Sequence, residues 1–161
     1  MNISFLLIGG NEGDPRAQLA KAGENIERSG CRILRRSSLY ETAAWGKTDQ
    51  NDFLNQALQI GTSLEAPVLM DILLEIEEKM GRRRLEKYGS RIIDIDMLFF
   101  NEEIIHAPRL FIPHPEIQNR RFVLVPMEEI APDYRHPVLH QTIRELLAVC
   151  PDQLEVRRVP D

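Results

Sequence analysis

Asp94 and Asp96 are the residues whose type and spacing best suit them to chemistry. They stand two apart in a stretch, 92–100, that is otherwise apolar. Successive side chains on a strand alternate between faces, so a strand here puts both carboxylates on one face and Ile93, Ile95 and Met97 on the other. Their Cα atoms would lie roughly 6.6 Å apart by strand rise. The same alternation predicts Ile92, Leu98 and Phe100 beside the carboxylates, so that their face is not open water. Two like charges in such surroundings are costly unless a cation, a proton or a hydrogen-bond donor lies between them. Mg²⁺ suits such a pair, because this hard ion keeps waters and bridges one or two carboxylates to substrate phosphates. Two-metal sites hold their ions about 3.5–4 Å apart, within reach of both side chains.

A basic stretch lies immediately upstream: Arg82, Arg83, Arg84 and Lys87, bounded by Gly81 and Gly89. Arginine forks pair bidentately with phosphate oxygens and stay charged. A solvated strand edge and a solvated basic turn are the bland alternatives. The apolar neighbours of the aspartates weigh against the first. The position of the loop, between a helix end and the acidic strand, weighs against the second. Acidic strand and basic loop together favour phosphoryl transfer, in which catalysis is mostly positioning and charge neutralisation. The glycines at 9, 10 and 13 do not make a P-loop, because no G-K-[ST] ending follows.

These groups need a scaffold, and the chain reads as β-α-β-β-α-β. Residues 2–8 form a first strand, and Asp14-Pro15 starts a helix with Leu19, Ala22 and Ile26 on one face and Gly30 as its stop. Residues 32–41 and 53–62 are two further strands. A helix opening at Pro67 carries Leu69, Ile72, Leu73, Ile76 and Met80 to Gly81, and the acidic strand follows. Beyond it the sequence predicts a short strand at 103–106, helices at 122–130 (bent, or shortened in its first turn, by Pro126) and 142–149, and a last strand at 154–159. The expected class is α+β: a ferredoxin-like split βαβ sandwich, mostly antiparallel, with helices packed on the sheet and C-terminal additions, in a single domain over 1–161.

The 161 residues are 43% hydrophobic and 28% charged, with a net charge of −5, which describes an ordinary globular chain. That acidity disfavours broad nucleic-acid binding. The apolar run near the start is too short to span a membrane and lacks a signal peptide's basic flank. Cys31 and Cys150 match no metal or redox spacing and are read as free thiols. A cytoplasmic monomer is expected.

The run Lys87-Tyr88-Gly89-Ser90-Arg91-Ile92-Ile93-Asp94-Ile95-Asp96-Met97-Leu98 resembles the signature of 6-hydroxymethyl-7,8-dihydropterin pyrophosphokinase. The likeness extends to Ile8-Gly9-Gly10-Asn11, Tyr40-Glu41-Thr42, Phe53-Leu54-Asn55, Gly81-Arg82, Pro113-His114 and Asn119-Arg120-Arg121-Phe122. The resemblance implies transfer of a diphosphoryl group from ATP to a pterin alcohol, with AMP as the other product. It implies that Asp94 and Asp96 hold two Mg²⁺ ions and that Arg82 and Arg91 stabilise the transferring group. Phe53 and Phe122 would stack on the pterin and Asn55 would read its edge, with Thr42, Ala43, Trp45 and Asp94 also in that pocket. For ATP it implies Glu77, Arg84, Arg91, Met97, Arg109, His114 and Arg120. Two other classes compete with this reading. Another Mg-dependent phosphotransferase on the same scaffold would release ADP or pyrophosphate. An RNA-binding ferredoxin-like module would need exposed aromatics and basic residues on an open sheet.

Overall fold

The computed structural model describes residues 1–43, 51–81 and 92–160. Its main sheet is built on β1 (Asn2–Gly10), which pairs antiparallel with β4 (Phe53–Thr62) on one side and with β5 (Asp94–Phe100) on the other. The far edge of β4 is shared by β2 (Cys31–Arg36) and β3 (Tyr40–Thr42). A single strand is expected over 32–41, and Ser37 explains the break. Its N–H bonds to the Ala57 carbonyl and its hydroxyl accepts from the Ala57 N–H, which diverts the ladder between the two pieces. With β2 and β3 counted as one strand, the order 5-1-4-2/3 is that of the split βαβ sandwich.

Helices α1 (Pro15–Arg28) and α2 (Ala66–Lys79) cover one face of the sheet. The Asp14 side chain caps α1 by accepting from the Ala17 N–H at 3.2 Å, and Gly30, at φ 90°, turns the chain after its end. Leu19, Ala22 and Ile26 from α1 and Leu69, Leu73 and Ile76 from α2 pack on Leu6, Ile8, Leu58, Ile60 and Met97.

The opposite face is covered by α3 (Arg121–Ile130) and α4 (Ile143–Ala148), through Val123, Leu124, Met127, Ile143 and Leu146 on Phe5, Leu7, Ala57 and Phe99. Both faces of the sheet are therefore occupied, which removes the open platform that an RNA-binding module requires. Thr142 and Glu145 form a reciprocal capping box that starts α4. Pro126 sits inside α3 without ending it. The strand expected at 103–106 is instead a hairpin of β6 (Ile105–Ala107) and β7 (Leu110–Ile112), and the last strand shrinks to β8 (Arg157–Arg158).

Leu6 pairs with Met97 while Phe5 pairs with Phe99, so Leu98 is an extra residue in β5. This bulge corrects the expected alternation. Leu98 and Phe99 both face α3, whereas Phe100 packs among α1 and α2. Ile92, which precedes the strand, also packs on the α1/α2 side.

Glu129 anchors α3 to β3. Its carboxylate accepts from the Ser38 N–H at 3.0 Å and from the Tyr40 hydroxyl at 2.6 Å. Burial, then the hydrogen bond to Glu129 and its charge, pushes the Tyr40 phenol up to about 12. Tyr40→Phe is expected to cost about 1.5–3 kcal/mol in urea denaturation, the worth of a hydrogen bond to a charged group. An unchanged midpoint would count against this anchor.

His136 is buried in a T-shaped contact with Phe99, with Nδ1 accepting from the Val138 and Leu139 N–H groups. Burial holds its pKa below 6.5. A histidine depressed in the folded state contributes stability that is complete above the unfolded pKa and is lost as pH falls toward the folded one. Stability is thus expected to decline below about pH 6.5. The decline should be smaller in His136→Gln, as read from denaturation midpoints between pH 5 and 8.

Candidate active site

The sheet and the N-terminal end of α3 enclose a cleft of about 730 Å³. Its floor follows from strand register. Gly9, on the central strand, pairs with Asn55 of β4 on one side and with Asp94 of β5 on the other. One row across the sheet therefore reads Asn55, Gly9, Asp94, and the next row on the same face reads Ala57, Leu7, Asp96. The flanking side chains are two strand spacings apart, roughly 9.6 Å. The hollow between them exists because Gly9 has no side chain. A Cβ there would sit 2.1 Å from Asn55 Oδ1 and 3.1 Å from the Leu54 carbonyl oxygen.

Phe53 lies two residues before Asn55 on the same face, and Thr42 pairs with Phe53 across the β3–β4 ladder. Both line the cleft, as does Ala43. Phe122, in the first turn of α3, forms the opposite wall, and the Arg120 guanidinium lies 5.9 Å from its ring centre. Glu116, Asn119, Pro151, Asp152 and Leu154 complete the lining.

Asp94 and Asp96 both reach the cleft and are half-buried. Among the described residues, no group of three or more His, Cys, Asp or Glu side chains could hold a metal ion. A pair of carboxylates on one face is nonetheless a fitting donor set for Mg²⁺, which draws its remaining ligands from water and phosphate.

Glu77 does not line the cleft. It is 5% exposed on α2, and its Oε2 accepts the Ile95 N–H at 2.7 Å. Ile95 lies between the two aspartates on an edge strand, so Glu77 satisfies a backbone donor that the sheet leaves outward. Met97 is 2% exposed in the α1/α2 core, on the side of the sheet away from the cleft. Arg109 is exposed in the turn between β6 and β7.

His114 is held by its N–H on the Leu98 carbonyl at 2.9 Å, while its Nδ1 accepts the Glu116 N–H at 3.2 Å. Burial, then the charge of Arg120, lowers its pKa. The neutral ring therefore carries its proton on Nε2. Trp45, Arg82, Arg84 and Arg91 lie outside the described residues.

Sequence reasoning assigned no role in the site to Gly9, Glu116, Asn119 or Asp152. Gly9 and Asn119 lie within motifs that were recognised, so a signal existed for them. Asp152 had none, because its place depends on chain that returns from far along the sequence.

The sequence model of a family described as 7,8-dihydro-6-hydroxymethylpterin-pyrophosphokinase (HPPK) matches residues 5–132. A 2-amino-4-hydroxy-6-hydroxymethyldihydropteridine pyrophosphokinase of Methylorubrum extorquens is 42% identical over 149 residues, 92% of this chain and 93% of the relative. One of the same name from Pseudomonas aeruginosa is 37% identical over 157 residues, 97% of this chain and 96% of the relative. Among solved structures, Plasmodium falciparum HPPK-DHPS wild type with pteroate superposes with a TM-score of 0.71 at 21% identity. The match covers 91% of this chain but 42% of that longer one, and it establishes the shared fold.

Proposed function

The chain belongs to the 7,8-dihydro-6-hydroxymethylpterin-pyrophosphokinase family, and we infer that it performs that family's reaction. It catalyses ATP-dependent transfer of a pyrophosphoryl group to hydroxymethyldihydropterin, a step in folate biosynthesis, with AMP as the other product. The observation that carries this reading is the convergence of Asp94, Asp96, Asn55, Phe53, Phe122 and Arg120 on one cleft.

In our reading the pterin slots between the Phe53 and Phe122 rings, whose flat faces suit an aromatic bicycle. Asn55 reads its polar edge, since an amide offers both donor and acceptor. Thr42 and Ala43 close that end, with Trp45 following them in the chain. Across Gly9, Asp94 and Asp96 face the reacting end of the substrate. They would hold two Mg²⁺ ions, which when bound neutralise phosphate charge and orient the transferring group. Arg120 extends the cleft toward the nucleotide, and Arg84, Arg109 and His114 belong to the same ATP region. Arg82 and Arg91 stabilise the charge of the transferring group. The pterin hydroxyl attacks the β-phosphorus directly, without a covalent enzyme intermediate.

Glu77 and Met97 support the site through the backbone of β5. Glu77 fixes the strand between the aspartates, and the Met97 side chain anchors it in the core. Within this proposal the protein is a single-domain cytoplasmic monomer. Cys31 and Cys150 are free, as a reducing compartment favours. No described helix is long and apolar enough to cross a membrane.

Incubation with ATP, Mg²⁺ and hydroxymethyldihydropterin tests the reading. AMP and the pterin diphosphate should form in equal amounts. ADP as the nucleotide product would indicate a different phosphotransferase.

A further inference from the structure

Helix α3 begins at a position that does not cap itself, because the Arg120 side chain makes no capping hydrogen bond. The cap comes instead from the far end of the chain. Asp152 Oδ2 accepts the Arg121 N–H at 2.9 Å, and Asp152 Oδ1 accepts the Leu154 N–H at 2.9 Å. A carboxylate at this place also complements the positive end of the helix. Pro151, Asp152 and Leu154 then form part of the cleft wall.

The same segment continues to the opposite wall. β8 pairs with β3, Tyr40 opposite Arg158 and Glu41 opposite Arg157, and the Val159 N–H bonds to the Leu39 carbonyl at 2.8 Å. Arg157 lies 3.3 Å from both Glu41 Oε2 and Asp52 Oδ2. Each anchor is one residue away from a cleft residue: Arg121 from Phe122, Glu41 from Thr42, and Asp52 from Phe53. None of Asp152, Leu154 or Arg157 falls within residues 5–132, the part matched by the family model.

We propose that segment 151–159 is a strap that sets the separation of the Phe53 and Phe122 walls, with Asp152 as a positioning residue for pterin binding. The proposal rests on the reading of this cleft as the pterin site. The strap holds the α3 wall through the Asp152 carboxylate on a backbone N–H and the β3 wall through ladder hydrogen bonds, so its loss acts on the slot between the rings. Arg157 contributes less, because its ion pairs are exposed and screened by salt.

Calorimetric titration of the whole protein with hydroxymethyldihydropterin and, separately, with Mg–ATP tests this, alongside steady-state kinetics and thermal melts. Asp152→Ala should raise the pterin Kd and KM about tenfold, in line with loss of one helix cap. ATP affinity should stay within about twofold and kcat at saturating pterin within about threefold, since positioning alone is affected. Asp152→Asn keeps an acceptor for one of the two N–H groups and should fall between. Arg157→Ala should show an effect of about threefold at low salt that fades at high salt. A folded Asp152→Ala protein with unchanged pterin affinity would overturn the proposal, as would equal losses for pterin and ATP. Should Asp152→Ala not fold, Asp152→Asn and Arg157→Ala decide the matter by the same criteria. Failure of the unaltered protein to bind the pterin would instead refute the assignment of the cleft, and the strap's role with it.

Discussion

Asp96→Asn is expected to lower turnover about 10³-fold, equivalent to about 4 kcal/mol of transition-state stabilisation, while leaving the fold intact. The amide is nearly isosteric with the carboxylate but carries no charge and offers one oxygen where the acid offers two. Asp94 and Asp96 reach the same cleft from one face of β5. The variant should keep a cooperative urea transition, so that the loss is read in the rate rather than in the amount of native protein. A purely structural role would instead lower the midpoint together with the rate. A magnesium titration of the variant should also need more metal for its residual rate, and full activity at ordinary magnesium would remove the metal assignment.

Gly9→Ala should disable pterin binding by a purely steric route. Its Cβ would lie 2.1 Å from Asn55 Oδ1, well inside contact distance, and 3.1 Å from a backbone oxygen that cannot swing away. Asn55 is 6% exposed, so it has little room to retreat. A pterin affinity loss of about 100-fold and a stability loss of about 1–3 kcal/mol are expected, the range for overpacked interiors. The double variant Gly9→Ala/Asn55→Ala separates the two effects, because it removes the collision but also the edge-reading amide. Stability should largely return while pterin binding stays weak. Equilibrium binding and urea denaturation on the two single variants and the pair would check this. Normal pterin affinity in Gly9→Ala would exclude Asn55 as a ligand in its present position.

Much of this site was legible because strand alternation is a local rule. Asp94 with Asp96, and Phe53 with Asn55, could be assigned to common faces from spacing alone, and all four line the cleft. The same rule failed at Phe100, where the extra residue at Leu98 shifts the phase, and residue types do not announce a bulge. Glu77 and Met97 sit beside the site in sequence and in family pattern, yet their side chains lie behind β5. The break at Ser37 depends on hydrogen bonds to β4, twenty residues away, which no local propensity contains. Asp152 was invisible for a stronger reason. It works 31 residues from the helix that it caps, and its own neighbourhood looks like an unremarkable tail.

The extra residue at Leu98 also bears on how the chain avoids misassembly. Were the ladder regular onward from the Phe5–Phe99 pair, Asp96 would stand opposite Ile8, on the side covered by α1 and α2. Both carboxylates would then be driven into an apolar layer, at a cost of several kcal/mol or more. The acids proposed as metal ligands thus penalise the wrong alignment of the edge strand. On the proposed reading, the same two side chains serve both the chemistry and the fidelity of folding.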